Sequence, residues 1–345
     1  MCNIAGYVGT KPAAPILIEM LKAEEGIQGG YYTGLATIHE GKMYYAKVVG
    51  DVEKLLRETD AASFPGTIGI IHSRSKGGGG IEWGHPFVSE RDGEIITAYV
   101  GNGGQGFFRP MRYLLDKRGD ELLKLGYNMR SRDRFSTSYP TLSDGTCVHM
   151  SDIMCQEIQY YMDQGMTASD SMEKAFHTIP GELAGLTLTL AEPESIAFSR
   201  SNMPMYVGFS DHGAYLASTA LAFPSDAREA SLLPPQSSGT VYKTSYTVKP
   251  YAEKIANMGF IDDEKTAEAY RIIYSLLEEG DKTCADLYKS VYPLFEGYDY
   301  YDSEPLTYNI MQTLANKGML EWKVVTVPGV YEGITAPLTR YWLKK

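Results

Sequence analysis

The stretch Cys2-Asn3-Ile4-Ala5-Gly6-Tyr7-Val8-Gly9 combines a structural and a chemical signal. Its apolar run ends at a glycine, which predicts a buried strand over residues 3–9. If Met1 is removed, Cys2 has both a thiol and a free α-amine, and an α-amine with a pKa of about 8 can act as a base near neutral pH. Nucleophile and general base are then held in one residue. A cysteine also occurs at position 2 by chance, so this position alone decides little.

Length and charge limit the class of protein. A chain of 345 residues exceeds the usual size of a single hydrophobic core, which predicts two domains, residues 1–248 and 249–345. The formal net charge of -11 argues against nucleic acid and anionic membrane surfaces as partners. No stretch has the ~18 consecutive apolar residues of a membrane span, and the N-terminus lacks a signal-peptide pattern. We therefore expect a cytoplasmic protein.

The four cysteines are sparse and follow no pattern, as expected for a reducing cytosol. Cys147, His149 and Cys155 lie close together in the sequence, but their spacing is not that of a zinc site. Buried cysteines of a core or a helix face are the better interpretation. We therefore expect no metal site.

Periodicity predicts an α+β protein. A helix over residues 13–24 follows the first strand, and apolar strands are expected at 66–72 and 94–100. Helices at 152–164 and 169–177 precede several short strands up to residue 248, with a loop at 224–239. After residue 250 the order changes to three helices, 262–279, 282–292 and 305–317, and a β-hairpin. This order is typical of a small winged-helix-like domain, for which docking or oligomerisation is the expected role.

Asn102-Gly103 ends one of the predicted strands. An Asn side-chain amide and a neighbouring backbone N–H together form an oxyanion hole in many acyl-transfer enzymes. Asn-Gly is also the strongest short signal for a hairpin turn, so the dipeptide alone favours the turn. Its chemical interpretation depends on the other segments.

Two further segments contain groups that could bind an amino acid. Gly69-Ile70-Ile71-His72-Ser73-Arg74 is a strand that ends in an arginine, which can bind a carboxylate or simply be solvated. Ser151-Asp152 begins a helix, where the pair either caps the helix or provides a carboxylate for a substrate ammonium. Neither segment is specific by itself.

In this order, the segments resemble the glutaminase domain of the class II glutamine amidotransferases. These are N-terminal nucleophile hydrolases with a four-layer αββα sandwich, and the resemblance extends over residues 2–245. The matching segments are Cys2 to Gly6, Gln28 to Gly34, Gly69 to Arg74, His85-Pro86, Val100 to Gly103 and Ser151-Asp152.

The resemblance implies a role for each candidate residue. Cys2 attacks the side-chain amide of L-glutamine, while Asn102 and the N–H of Gly103 hold the oxyanion. Ammonia leaves, and water hydrolyses the γ-glutamyl thioester. Arg74 binds the substrate α-carboxylate and Asp152 its α-ammonium. No cofactor is implied.

The sequence departs from the family after Arg74. Ser75-Lys76-Gly77-Gly78-Gly79-Gly80 replaces residues that shape the glutamine pocket, and four glycines predict a mobile loop. Lys76 either takes over a carboxylate contact or is solvated. Gln28 and Tyr31-Tyr32 replace an arginine and an Asp-Ser pair of the family.

The C-terminal part is a second departure. Residues 250–345 are too few for the synthase domains that usually consume the ammonia, so we expect a partner subunit of synthase type, with homo-oligomerisation as a further expectation. Two alternatives stay open. One is an amidase for another linear amide, and the other is a non-catalytic regulatory or binding protein on the same fold. A retained Met1 would block the α-amine of Cys2 and would favour the non-catalytic alternative.

Overall fold

Two antiparallel sheets form the centre of the N-terminal part. The structure is a computed structural model that describes residues 2–134 and 139–345. The strands of the first sheet are β1 (Asn3–Gly9), β2 (Tyr32–His39), β3 (Lys42–Val48), β4 (Ile68–Arg74), β9 (Tyr206–Ser210), β10 (Gly213–Ala217) and β11 (Arg228–Leu232). The strands of the second sheet are β5 (Phe87–Arg91), β6 (Glu94–Gly104), β7 (Glu182–Thr189), β8 (Ile196–Arg200), β12 (Ser237–Tyr242) and β13 (Ser245–Pro250).

Helices cover the outer faces of both sheets. The first sheet packs against α1 (Ala13–Glu24) and α2 (Val52–Glu58). The second packs against α3 (Arg112–Lys124), α4 (Met150–Met162) and α5 (Ala168–Thr178). The four layers are therefore helix, sheet, sheet and helix, which is the αββα arrangement expected from the sequence.

The alternation of side chains along β1 explains the layering. Ile4 and Val8 belong to the core between the two sheets, whereas Ala5 and Tyr7 pack on the helix side. A strand buried on both faces has apolar residues at successive positions, because successive side chains point to opposite faces. The stretch that follows Cys2 is therefore fixed in the middle of the first sheet, between β10 and β4.

The C-terminal segment, residues 251–345, is built around one apolar cluster, to which Ile27 of the N-terminal part also belongs. It contains α6 (Asp263–Glu279), α7 (Cys284–Val291), α8 (Ser303–Asn316), β14 (Leu320–Pro328) and β15 (Thr335–Leu343). β14 and β15 pair as an antiparallel hairpin. Three helices and a hairpin thus follow each other in the order that the sequence predicts. Within the described residues, none of the helices has the length and apolar character needed to cross a membrane.

One local expectation was wrong, and one strand was missed. The loop predicted at 224–239 contains β11 and the start of β12. Its prolines and serines suggested a loop, but pairing with β9 and β8 provides the backbone hydrogen bonds that make these residues strands. β5 was not anticipated, because residues 87–91 are short and end in charged side chains.

Candidate active site

The start of β1 lies against the end of β6. Asn102 Oδ1 accepts a hydrogen bond from the Cys2 nitrogen at 3.0 Å. The Asn102 side chain is fully buried, and its Nδ2 has no hydrogen-bond partner among the described residues. A buried donor without a partner costs free energy, which makes this amide a donor prepared for an incoming acceptor. The structure therefore brings together two of the residues predicted from sequence.

Gly103 continues β6 with a backbone conformation that only glycine adopts easily. Its φ is +110°, and a Cβ at this position would lie 1.9 Å from the carbonyl oxygen of Glu182. An L side chain is disfavoured on both counts. Any residue other than glycine would displace the strand end from β7, and with it the neighbouring Asn102.

The Cys2 thiol is 7% exposed and lies near the loop that follows β4. Its Sγ is 3.8 Å from Ser75 Oγ. Ser75 follows Arg74, so Cys2 and Arg74, the predicted carboxylate ligand, lie near the same end of β4. Asn3 pairs with Ser73 in the sheet register, which holds β1 and β4 in this alignment.

Arg74 is buried, and its guanidinium is held on several sides. It donates to the carbonyl oxygens of Trp83 at 2.8 Å and Gly78 at 3.3 Å, and to the hydroxyl of Tyr139 at 2.9 Å. It also stacks on the ring of Tyr32, 4.6 Å from the centroid. Cation–π stacking and these bonds fix the orientation of the fork.

The glycine loop after Arg74 is held by tyrosines. Tyr32 donates its hydroxyl to the carbonyl oxygens of Gly77 at 3.2 Å and Gly79 at 2.8 Å. Tyr331, from the C-terminal segment, donates to the same Gly79 oxygen at 2.6 Å. The loop predicted to be mobile therefore has side-chain anchors from two parts of the chain. Lys76 is exposed on its surface.

Asp152 lies in the first turn of α4 and is buried. Its Oδ2 accepts from both the backbone N–H and the hydroxyl of Ser131 at 2.8 Å, and Oδ1 accepts from Gln156 at 3.4 Å. Burial raises the pKa of this carboxyl, and the bonds from Ser131 oppose the rise. The helix cap is neither Ser151 nor Asp152, because His149 Nδ1 accepts the Ser151 N–H at 3.1 Å.

Three histidines lie beside these residues, of which His72 and His85 are buried and His149 is half-buried. His72 and His85 lie ring on ring with centroids 3.7 Å apart, and His149 meets His85 edge-on at 5.4 Å. Burial lowers the pKa of His72 to about 3 and the pKa values of the other two well below the ordinary range. His72 is therefore neutral, and its Nε2 donates to the carbonyl oxygen of Gly101 at 3.0 Å, which ties β4 to the strand that contains Asn102.

A cavity of about 330 Å³ opens beside this strand end. It reaches from the end of β6 to Tyr139, the partner of Arg74, and to Ser151, the neighbour of Asp152. The described residues that line it include Gly103, Gln105, Arg109, Tyr139, His149 and Ser151. The cavity thus adjoins the residues that the sequence predicts to hold the oxyanion and to bind the two charged ends of a substrate.

Sequence reasoning missed several residues of this site. Tyr32 appeared only as a departure from the family, and Tyr139 and the cap residue His149 gave no signal that linked them to Arg74. His72 and His85 belong to matched segments, but the stacking of their rings depends on contacts between the sheets. A search for aromatic residues near a buried arginine would have found only Tyr32, which lies directly opposite Arg74 in the sheet register.

Comparison with known proteins agrees with this geometry. No protein-family profile matches the chain. The glutamine–fructose-6-phosphate aminotransferase of Pyrococcus horikoshii is 27% identical over 255 residues, which cover 72% of this chain and 38% of that protein. The enzyme of the same name from Rhizobium leguminosarum is 27% identical over 250 residues, covering 72% of this chain and 36% of that protein. The matched region thus spans little more than a third of these relatives.

A solved structure extends the similarity to the fold. Glutamine phosphoribosylpyrophosphate amidotransferase from B. subtilis superimposes with a TM-score of 0.59 at 16% identity, covering 80% of this chain and 58% of that one. This similarity supports the two-sheet architecture, and the named relatives support the family. Together the relatives and the fold support a class II glutamine amidotransferase-like domain in this chain.

Proposed function

We propose that this chain hydrolyses the side-chain amide of L-glutamine, with Cys2 as the nucleophile once Met1 has been removed. One observation supports this most directly. Asn102 holds the Cys2 nitrogen through its Oδ1, while its buried Nδ2 has no partner among the described residues. A donor of this kind, fixed beside a thiol, is what the oxyanion of a tetrahedral intermediate needs.

The proposed reaction has two steps. The α-amine of Cys2 takes the thiol proton, and Sγ attacks the amide carbonyl carbon while Asn102 Nδ2 and the Gly103 N–H hold the oxyanion. The C–N bond then breaks, the amine returns the proton to the leaving nitrogen, and ammonia departs. Water attacks the resulting thioester, the C–S bond breaks, and glutamate and the free thiol are formed. Acid–base catalysis of this kind contributes roughly 10²- to 10⁴-fold to rate.

We assign the two ends of glutamine to Arg74 and Asp152. The position of Arg74, whose partner Tyr139 lines the 330 Å³ cavity, supports a role with the α-carboxylate. Asp152 lies one residue from the lining residue Ser151, which supports a role with the α-ammonium. Lys76, exposed on the glycine loop, is the assigned second contact for the carboxylate.

The rest of the chain suggests how the ammonia is used. We propose a cytoplasmic protein with two domains, residues 1–248 and 249–345, the second a winged-helix-like module. We infer that ammonia passes to a partner subunit of synthase type and that the module mediates docking or homo-oligomerisation. Co-purification of such a subunit supports this arrangement, whereas a monomer with full, unregulated glutamine hydrolysis contradicts it.

Labelling with diazo-oxo-norleucine, a glutamine-like electrophile, tests the function directly. Intact mass first establishes that Met1 has been removed. We expect one adduct at Cys2, suppressed by glutamine, and loss of both labelling and ammonia release in the Cys2→Ala variant with the fold retained. A Met1-free protein that neither labels nor releases ammonia contradicts the proposal and favours a non-catalytic role.

A second candidate is hydrolysis of another linear amide. It is favoured by Arg74, which already donates to Trp83, Gly78 and Tyr139 and therefore has few N–H groups left for a carboxylate. A panel of amides, with glutamine, N-acyl amides and glutamine lacking its α-carboxylate, separates the two. Equal kcat/KM with and without the carboxylate favours the second candidate.

A further inference from the structure

The C-terminal segment meets the amidotransferase domain at the start of α8. Arg200 of β8 forms a buried ion pair with Asp302, with Nη2 and Oδ1 2.8 Å apart. Tyr206 of β9 donates its hydroxyl to Asn309 Oδ1 at 2.6 Å. These bonds come from two strands and hold the first turns of α8 in a fixed position relative to the active-site strands.

A second cavity, of about 230 Å³, lies between α8 and the oxyanion strand end. Gly103 and Gly104 line it on the side of β6, and Glu304 lines it on the side of α8. Gly103 follows Asn102, the residue that holds the Cys2 nitrogen. The C-terminal segment therefore reaches the end of β6, which also lines the cavity beside Tyr139.

Glu304 is a carboxyl with only one of its oxygens satisfied. It is 2% exposed, and its Oε1 accepts a hydrogen bond from Tyr308 at 2.9 Å. Oε2 is buried and has no hydrogen-bond partner among the described residues. Burial raises the pKa of this carboxyl to about 7, and the bond from Tyr308 opposes the rise. Glu304 thus has an unpaired, buried carboxyl oxygen beside the cavity that Gly103 lines.

We propose that Glu304 is a positioning residue for Cys2, its Oε2 accepting a hydrogen bond from the α-amino group, so that both parts of the chain build the active site. An α-amino group has more N–H donors than the one taken by Asn102 Oδ1, and a buried carboxylate oxygen is a strong acceptor for another. The assignment rests on the proposed function, in which this amine is the general base.

The expected pH effect follows from the sign of the charge. A carboxylate beside an amine favours the protonated amine and raises its pKa, by roughly 1–3 units for a charge within 4–6 Å. The Glu304→Gln variant removes the charge, so the α-amine should titrate about one unit lower. The other titratable groups near Glu304 among the described residues include Tyr308, Cys284, Tyr288, Tyr292, Tyr301, Asp302, Tyr206 and Glu182. The substitution leaves all of them in place.

The test uses the full-length, Met1-free protein with Glu304→Gln, Glu304→Asp and the exposed control Glu296→Gln. Competitive acetylation of the N-terminus, quantified by mass spectrometry from pH 6 to 10, measures the α-amine pKa without any substrate. We expect a value about one unit lower for Glu304→Gln, and wild-type values for Glu304→Asp and Glu296→Gln. In Glu304→Gln, the acidic limb of the pH profile of kcat/KM for glutamine should shift to lower pH together with the α-amine pKa. The kcat of this variant should fall roughly tenfold with KM retained.

The outcomes separate this proposal from the proposed function. An unchanged amine titration in Glu304→Gln overturns the positioning role, whatever the enzyme activity. A shifted titration without glutamine hydrolysis in wild type supports the positioning role and contradicts the proposed function. If Glu304→Gln fails to fold, Tyr308→Phe replaces it. Loss of the Tyr308 hydroxyl raises the pKa of Glu304. The pKa of the α-amine should then fall, as in Glu304→Gln but by a smaller amount, and an unchanged α-amine pKa overturns the proposal.

Discussion

Asn102 Oδ1 accepts a hydrogen bond from the Cys2 nitrogen at 3.0 Å, although 100 residues of sequence separate them. The buried Nδ2 of the same amide has no hydrogen-bond partner in the described part of the chain. We predict that Asn102→Ala lowers kcat for glutamine by about 10²- to 10³-fold, because one oxyanion donor is lost, with a smaller change in KM. Steady-state ammonia release checks this.

The control for this prediction is Asn316→Ala, an exposed asparagine at the end of α8. It should retain wild-type kcat. Retained kcat in Asn102→Ala as well would show that the unpaired amide has no part in the chemistry.

Gly103 and Gly104 form a matched pair for testing the strand end. A Cβ at Gly103 meets the Glu182 carbonyl oxygen at 1.9 Å with φ at +110°, whereas a Cβ at Gly104 meets nothing within 4 Å. We predict that Gly103→Ala costs about 1–3 kcal/mol of unfolding free energy and most of the activity. Gly104→Ala should stay within about 0.5 kcal/mol. Urea unfolding and ammonia release measure both, and equal effects at the two positions would refute the steric argument.

Sequence could predict the groups that lie on regular elements. The apolar run after Cys2 forms a strand buried on both faces, and Asn102 and Gly103 end another strand, so their local structure follows from pattern and turn chemistry. Their pairing across the two sheets came from the resemblance, because local patterns carry no information on contacts between distant segments.

Other parts of the site depend on such long-range contacts. Ser303-Glu304-Pro305 is typical of any helix start, and nothing in it indicates that Glu304 faces a cavity beside Gly103. The loop expected at 224–239 became strands for the same reason, since pairing with neighbouring strands outweighed its local composition. The glycine run after Arg74 predicted mobility, and its anchors Tyr32 and Tyr331 come from distant positions.

The Arg200–Asp302 ion pair should account for much of the attachment of α8. Both side chains are buried, and removing one partner leaves an uncompensated charge. We predict that Asp302→Ala lowers the unfolding free energy by about 3–5 kcal/mol. The exposed pair Arg228–Asp211 is the control, and Asp211→Ala should cost less than about 1 kcal/mol. Chemical denaturation measures the change in unfolding free energy of both variants. Similar changes at the two sites would mean that solvent screens the buried pair as well.

Glu25 should make stability depend on pH. It is buried, and its carboxyl accepts bonds from the Val52 N–H, the Ser73 hydroxyl and the Thr33 hydroxyl. Burial raises its pKa to about 7, and these bonds oppose the rise. The folded state therefore binds this proton more tightly than the unfolded state, whose pKa is about 4.3. The resulting stability is complete below pH ~4 and is lost as the pH rises through 7.

The Glu25→Gln variant isolates this effect because its side chain is neutral at every pH. We predict that the unfolding free energy of wild type, relative to the variant, falls by about 2–3 kcal/mol between pH 5 and pH 8. Urea unfolding at four pH values measures the difference, with the exposed Glu40→Gln as baseline. A difference between wild type and Glu25→Gln that stays constant over this range would show that Glu25 has the same proton affinity in the folded and unfolded chains.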